Sequence, residues 1–146
     1  MRPVDMRLYS PLIPFAKQLG TPLFTLKSDG VIVAEPAPKS REFFLDSSYG
    51  GTYMPCFPGQ VFLWSVDMKT SADWNGNMSA SKIRFGAIGT NAYISALAAV
   101  STPVTEWTTY INGLTIPPGV TAYRAVIQGN HTTGQQFWRN LRLLRT

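Results

Sequence analysis

The chain has 146 residues, with 45% apolar and 14% charged side chains and a formal charge of +5. That length supports one domain with its own hydrophobic core, and that composition excludes a disordered chain. No run is apolar for long enough to span a membrane. The single cysteine excludes an intrachain disulfide, and the dispersed basic residues lack the patterns that accompany specific nucleic-acid recognition.

Residues 1–22 read as an extended arm. Pro3, Pro11, Pro14 and Pro22 forbid a continuous helix or a central strand. Pro3 and Asp5 also interrupt any signal-peptide pattern. The arm is apolar at Leu8, Tyr9, Leu12, Ile13 and Phe15, so it should lie on something. Two readings stand: it runs along a neighbouring molecule as an assembly arm, or it covers an open edge of its own domain.

Residues 23–146 read as a single all-β domain. Leu23–Leu26 and Val31–Val33 flank Lys27-Ser28-Asp29-Gly30, a tight hairpin turn. Arg41–Asp46 is a short apolar run, and Gly50-Gly51 marks a bulge or loop. Phe57-Pro58-Gly59-Gln60 is a turn that launches a strand over Val61–Met68, with Phe62, Trp64, Val66 and Met68 on one face. Thr70–Ser81 is a polar loop, and Lys82–Ile88 alternates again. Thr90–Thr102 fits a short helical turn or a loose strand. Trp107 and Ile111 share one side of Glu106–Asn112, Tyr123 and Ile127 share one side of Thr121–Gln128, and Gln135–Arg145 is the last strand. About eight strands at this spacing predict a sandwich or barrel. Trp64, Phe85, Trp107, Ile111, Ile127 and Leu141 are the expected core, and Cys56 in Met54-Pro55-Cys56-Phe57-Pro58 is expected to be a buried structural thiol.

Three marks in order carry a resemblance. They are Phe57-Pro58-Gly59-Gln60-Val61-Phe62-Leu63-Trp64, then Glu106-Trp107 with Ile116-Pro117-Pro118-Gly119, then Gly134-Gln135-Gln136-Phe137-Trp138-Arg139-Asn140-Leu141-Arg142-Leu143. This stretch resembles the jelly-roll carbohydrate-binding modules, the galactose-binding-like sandwiches, and implies a jelly-roll β-sandwich. Relatives often carry an acidic pair for a structural calcium where this chain has Arg139-Asn140. Arg139 cannot ligate a cation, so no metal site is expected. Such domains serve as modules of glycan-degrading enzymes and as components of phage virions. A chain opening on Met1, with no linker, favours the second use.

Catalytic options are few. His131, the single histidine, lies in Asn130-His131-Thr132-Thr133-Gly134 and reads as a solvated turn residue. No nucleophile motif, paired carboxylates or metal-ligand spacing accompanies it. Trp74 in the polar run Asp73-Trp74-Asn75-Gly76-Asn77 has three readings: it stacks on a sugar, anchors a protein contact, or folds back over the end of the sandwich. Asn75 and Asn77 would share such a contact.

The expectation is a non-catalytic structural protein of a tailed-phage virion. It would be a capsid decoration or tail-associated protein acting through contacts with other virion proteins and with itself as a homo-oligomer. The second reading is an adhesion module that recognises cell-surface glycans. Neither requires a cofactor.

Overall fold

A computed structural model of the chain describes residues 7–9, 24–37, 41–44, 54–76, 81–86, 93–96 and 100–146. They contain no helix and eleven strands: β1 (Arg7–Tyr9), β2 (Phe24–Leu26), β3 (Ile32–Ala34), β4 (Arg41–Phe44), β5 (Met54–Pro55), β6 (Val61–Thr70), β7 (Ser81–Gly86), β8 (Tyr93–Ala96), β9 (Thr108–Thr115), β10 (Ala122–Gly129) and β11 (Gln136–Arg145). The strands form two antiparallel sheets. One is six-stranded, in the order β2-β3-β11-β6-β9 with β1 also on β11; the other is five-stranded, in the order β4-β10-β7-β8 with β5 also on β10. The chain changes sheet between β3 and β4, β5 and β6, β6 and β7, β8 and β9, β9 and β10, and β10 and β11. That repeated crossing is the jelly-roll sandwich implied by the resemblance.

The turns form for the reasons their residues suggest. In the β2–β3 hairpin, Gly30 has φ 83°, the Lys27 N–H donates to Val31 O at 2.8 Å, and Asp29 Oδ1 accepts from the Val31 N–H. That is the left-handed backbone a tight Asp-Gly turn needs. Just before β6, Gln60 is a buried tie. Its Nε2 donates to Thr146 O at 2.9 Å, and its carbonyl accepts from the Ile116 N–H. The start of β6 is thereby joined to the end of β11 and to the turn after β9.

Strict alternation in β6 sends Phe62, Trp64, Val66, Met68 and Thr70 inward and leaves the residues between them half-buried. Trp138 and Leu143 from β11 and Ile32 and Ala34 from β3 join the same inner layer. Tyr123 and Ile127 of β10 supply the opposing layer, and Phe62 meets Tyr123 edge-on with ring centroids 4.9 Å apart. Cys56 is buried beside this core, and burial pushes its thiol above the ordinary range. This is the structural thiol expected.

Several expectations need correction or completion. Ile111, expected in the core, is 62% exposed, because the inward residues of β9 are Tyr110, Asn112 and Leu114. Trp107 shares the outward face and is half-buried rather than core. Trp64, Ile127 and Leu141 are buried as expected, whereas the Phe85 side chain lies outside the described residues. The ambiguous segment Thr90–Thr102 contains a strand, β8, that pairs with β7. β1 and β5 are further strands that the sequence pattern missed.

Candidate functional site

β1 locates the described part of the arm. Arg7, Leu8 and Tyr9 pair with Arg145, Leu144 and Leu143. β3 pairs with Gln136–Trp138 of the same strand, so β1 takes the last residues of β11, beyond those that β3 covers. Leu8 and Tyr9 thus extend the sheet of their own chain. Leu12, Ile13 and Phe15 lie outside the described residues.

The Trp74 loop closes one end of the sandwich. Trp74 is 3% exposed and lies 6.2 Å from the His131 ring, centroid to centroid. Its neighbours are fastened across the loop. Asn75 Oδ1 accepts from the N–H groups of Thr132 and Thr133, and Asn75 Nδ2 donates to Thr132 Oγ1. Ser71 Oγ accepts from the Gln135 N–H at 2.8 Å, and the Thr133 hydroxyl donates to Asp73 O at 2.7 Å. The Trp74 ring is thus folded back over the end of the sandwich and covered, while Asn75 is exposed with its amide bonded within the chain. Asn77 lies outside the described residues. His131 also differs from expectation. It is buried, with Nε2 3.2 Å from Ala34 O, because its turn is folded onto Trp74 and β3 instead of projecting into water.

A different surface collects polar and aromatic groups within reach of solvent: the outer face of the six-stranded sheet. Register lines them up in rows. Phe137 lies opposite Lys69, Asp67 lies between Arg139 and Thr109, and Ser65 lies between Arg142 and Ile111. Trp107, just before β9, flanks Lys69. The Lys69 Nζ is 5.0 Å from the Trp107 ring centre and 5.3 Å from that of Phe137. The Arg139 guanidinium reaches across β6 to lie 4.0 Å from the Trp107 ring centre. These are stacking distances at which a cation is attracted by an aromatic face.

Asp67 fixes the middle of this surface. Its Oδ1 accepts from the Thr109 hydroxyl at 2.7 Å, and its Oδ2 accepts from Asn140 Nδ2 at 2.8 Å and from Arg139 Nε at 3.4 Å. Partial burial pushes the carboxyl up, but these hydrogen bonds and the Arg139 charge outweigh it, so Asp67 titrates below its ordinary range. Asn140 reaches Asp67 because β11 shifts register between Arg139 and Arg142, with Asn140 itself at φ 53°. A β-bulge of this kind re-aims side chains, and Asn tolerates the left-handed backbone better than most residues. The pair Arg139-Asn140 thus makes an internal hydrogen-bond hub on a strand carboxylate. Among the described residues no cluster of His, Cys, Asp or Glu could hold a metal ion.

No family model and no curated protein matches this chain. Solved structures do. The enzymatically active domain of tailspike protein 4 from bacteriophage CBA120 aligns with a TM-score of 0.50 and 16% identity, over 77% of this chain and 15% of that chain. A CBM4 carbohydrate-binding module aligns with a TM-score of 0.51 and 11% identity, over 97% of this chain and 78% of that chain. At these identities the likeness establishes a shared β-sandwich fold. This chain spans a small part of the tailspike protein's length and most of the CBM4 module's.

Proposed function

We propose that this sandwich is a non-catalytic binding module that engages glycan chains through the outer face of its six-stranded sheet. The observation that carries the reading is the composition of that face. Exposed Ile111, and the part of half-buried Trp107 that Arg139 and Lys69 leave open to solvent, offer apolar surface for the C–H faces of sugars. Thr109, Ser65 and Asn140, in the adjoining rows, offer hydroxyl and amide groups for sugar hydroxyls. Aromatic area rimmed by such donors and acceptors is the composition of a shallow saccharide site. The likeness to a CBM4 module over nearly the whole chain supports the same reading. Affinity electrophoresis through gels containing xylan, mixed-linkage glucan or acidic polysaccharide tests it. At least one polymer should retard the protein, and Trp107→Ala should restore free mobility. Unretarded migration through a broad polysaccharide panel would overturn the reading.

A second reading is a phage virion component, on a capsid or tail, that acts through protein contacts in a homo-oligomer. The likeness to a phage tailspike domain supports it. The two roles are compatible, since a particle-borne module could hold surface glycans for its virion. Light scattering separates them: a stable dimer or trimer supports assembly, and a monomer that still binds polysaccharide supports the module alone.

A further inference from the structure

We infer that the ligand of this face is an acidic glycan, a chain whose sugars carry carboxylates; this rests on the glycan-binding reading above. The charges on the face do not cancel. Lys69, Arg139 and Arg142 face one carboxylate, Asp67, and that carboxylate is already engaged by Thr109, Asn140 and Arg139. Among the described residues Lys69 and Arg142 form no ion pair, and Arg142 is exposed. The face therefore carries two cationic groups beyond the internal pair.

The arrangement of the rings points the same way. The Trp107 and Phe137 rings have cations against them, Arg139 at 4.0 Å and Lys69 at 5.0 and 5.3 Å. A neutral sugar that relied on stacking would compete with those cations for ring surface. A carboxylated sugar would instead meet their N–H groups, with Arg139 held in place by Trp107 beneath it and Asp67 beside it. A guanidinium fixed in this way loses little freedom when it binds a carboxylate through paired hydrogen bonds. Arg142 lies one outward row along β11 from Arg139, past the bulge, so the cations follow the strand and suit an extended polyanion more than a single small anion. Apolar Ile111, next to Ser65 in the Arg142 row, adds a non-ionic contact that a sugar ring can use and a bare inorganic polyanion cannot.

The test compares polygalacturonate, alginate and hyaluronate with the same polymers methyl-esterified on their carboxyl groups, alongside neutral xylan and inorganic polyphosphate. Binding is measured by calorimetry at two salt concentrations. At least one free-acid polymer should bind, weaken as salt rises, and lose tenfold or more on esterification. Arg142→Gln should weaken it several-fold with an unchanged melting temperature, and Ile111→Ser should weaken it without changing the salt dependence. Equal binding of acid and ester, or tighter binding of xylan, would overturn the acidic-ligand inference while leaving glycan binding in place. Equal binding of polyphosphate, insensitive to Ile111→Ser, would overturn it in favour of charge alone. No binding of any polysaccharide would overturn both.

Discussion

Arg139 belongs to β11 and Trp107 immediately precedes β9, the two strands that flank β6, yet the guanidinium lies 4.0 Å from the centre of the indole. Between them runs Asp67, which holds the Arg139 Nε at 3.4 Å. Trp107 is therefore held on the outer face by contacts made there, and it remains half open to solvent where a ligand could reach it.

That arrangement predicts a pH dependence. The Asp67 carboxyl is held below its ordinary value of 3.8, so its contribution to stability is fully present above that value and is lost as pH falls through the lower, folded-state value. Asp67→Asn should lower the melting temperature at neutral pH, and the difference from wild type should shrink as the solution is taken below that range. Thermal melts of the two proteins across acidic pH check this; a difference that grows on acidification would be the wrong sign.

The inter-sheet contact between Phe62 and Tyr123 is a second point of leverage. Phe62 is fully buried and meets Tyr123 edge-on. Phe62→Ala should destabilise the domain by about 3–5 kcal/mol, through lost transfer free energy and the cavity left behind. Urea unfolding followed by tryptophan fluorescence measures it, and a loss below about 1 kcal/mol would mean that the two sheets do not pack as described.

The Trp74 corner should be sensitive out of proportion to its place in a surface loop. Gly134 has φ 76°, and a Cβ there would come within 2.7 Å of Trp74 Cα and 2.6 Å of Ser71 Oγ. Gly30 has a similar φ but open space around it. Gly30→Ala should cost about 1–2 kcal/mol, the ordinary penalty of the left-handed region, and Gly134→Ala distinctly more. His131→Ala should also destabilise, by about 1–3 kcal/mol, because it vacates a buried site beside Trp74 and removes the partner of Ala34 O. Equal melting temperatures for the two glycine variants would contradict the packing of this corner.

Much of the fold was legible in the sequence because alternation and turn chemistry act locally. The Asp29-Gly30 hairpin and the inward face of β6 follow from their own residues. The phase of β9 did not. Trp107 and Ile111 are large and apolar, so hydrophobicity assigned them to the core, whereas the register with β6 turns Ile111 outward and leaves Tyr110, Asn112 and Leu114 to face in, and Trp107 lies against Lys69 and Arg139 of the outer face. Burial of His131 was equally hidden, and burial of Trp74 stood as one of three open readings. Their segment is polar in sequence, and what draws it down is a set of loop-to-loop hydrogen bonds between residues some 60 apart, such as Thr133 to Asp73. The candidate face depends on three strands distant in sequence. Its one local signal was the Arg139-Asn140 pair, which argued against calcium but gave no view of Asp67.

The most direct measurement uses the four tryptophans as reporters. Trp64, Trp74 and Trp138 are buried, and Trp107 alone is partly open on the candidate face. In a ¹⁵N-labelled sample each indole N–H gives its own NMR signal, and Trp107→Phe identifies the one from Trp107. Titration with the polysaccharide that retards the protein most should move the Trp107 signal progressively to saturation while the other indole signals stay in place. A polysaccharide that binds and shifts Trp74 or another indole, with the Trp107 signal unmoved, would contradict glycan binding at the outer face of the six-stranded sheet.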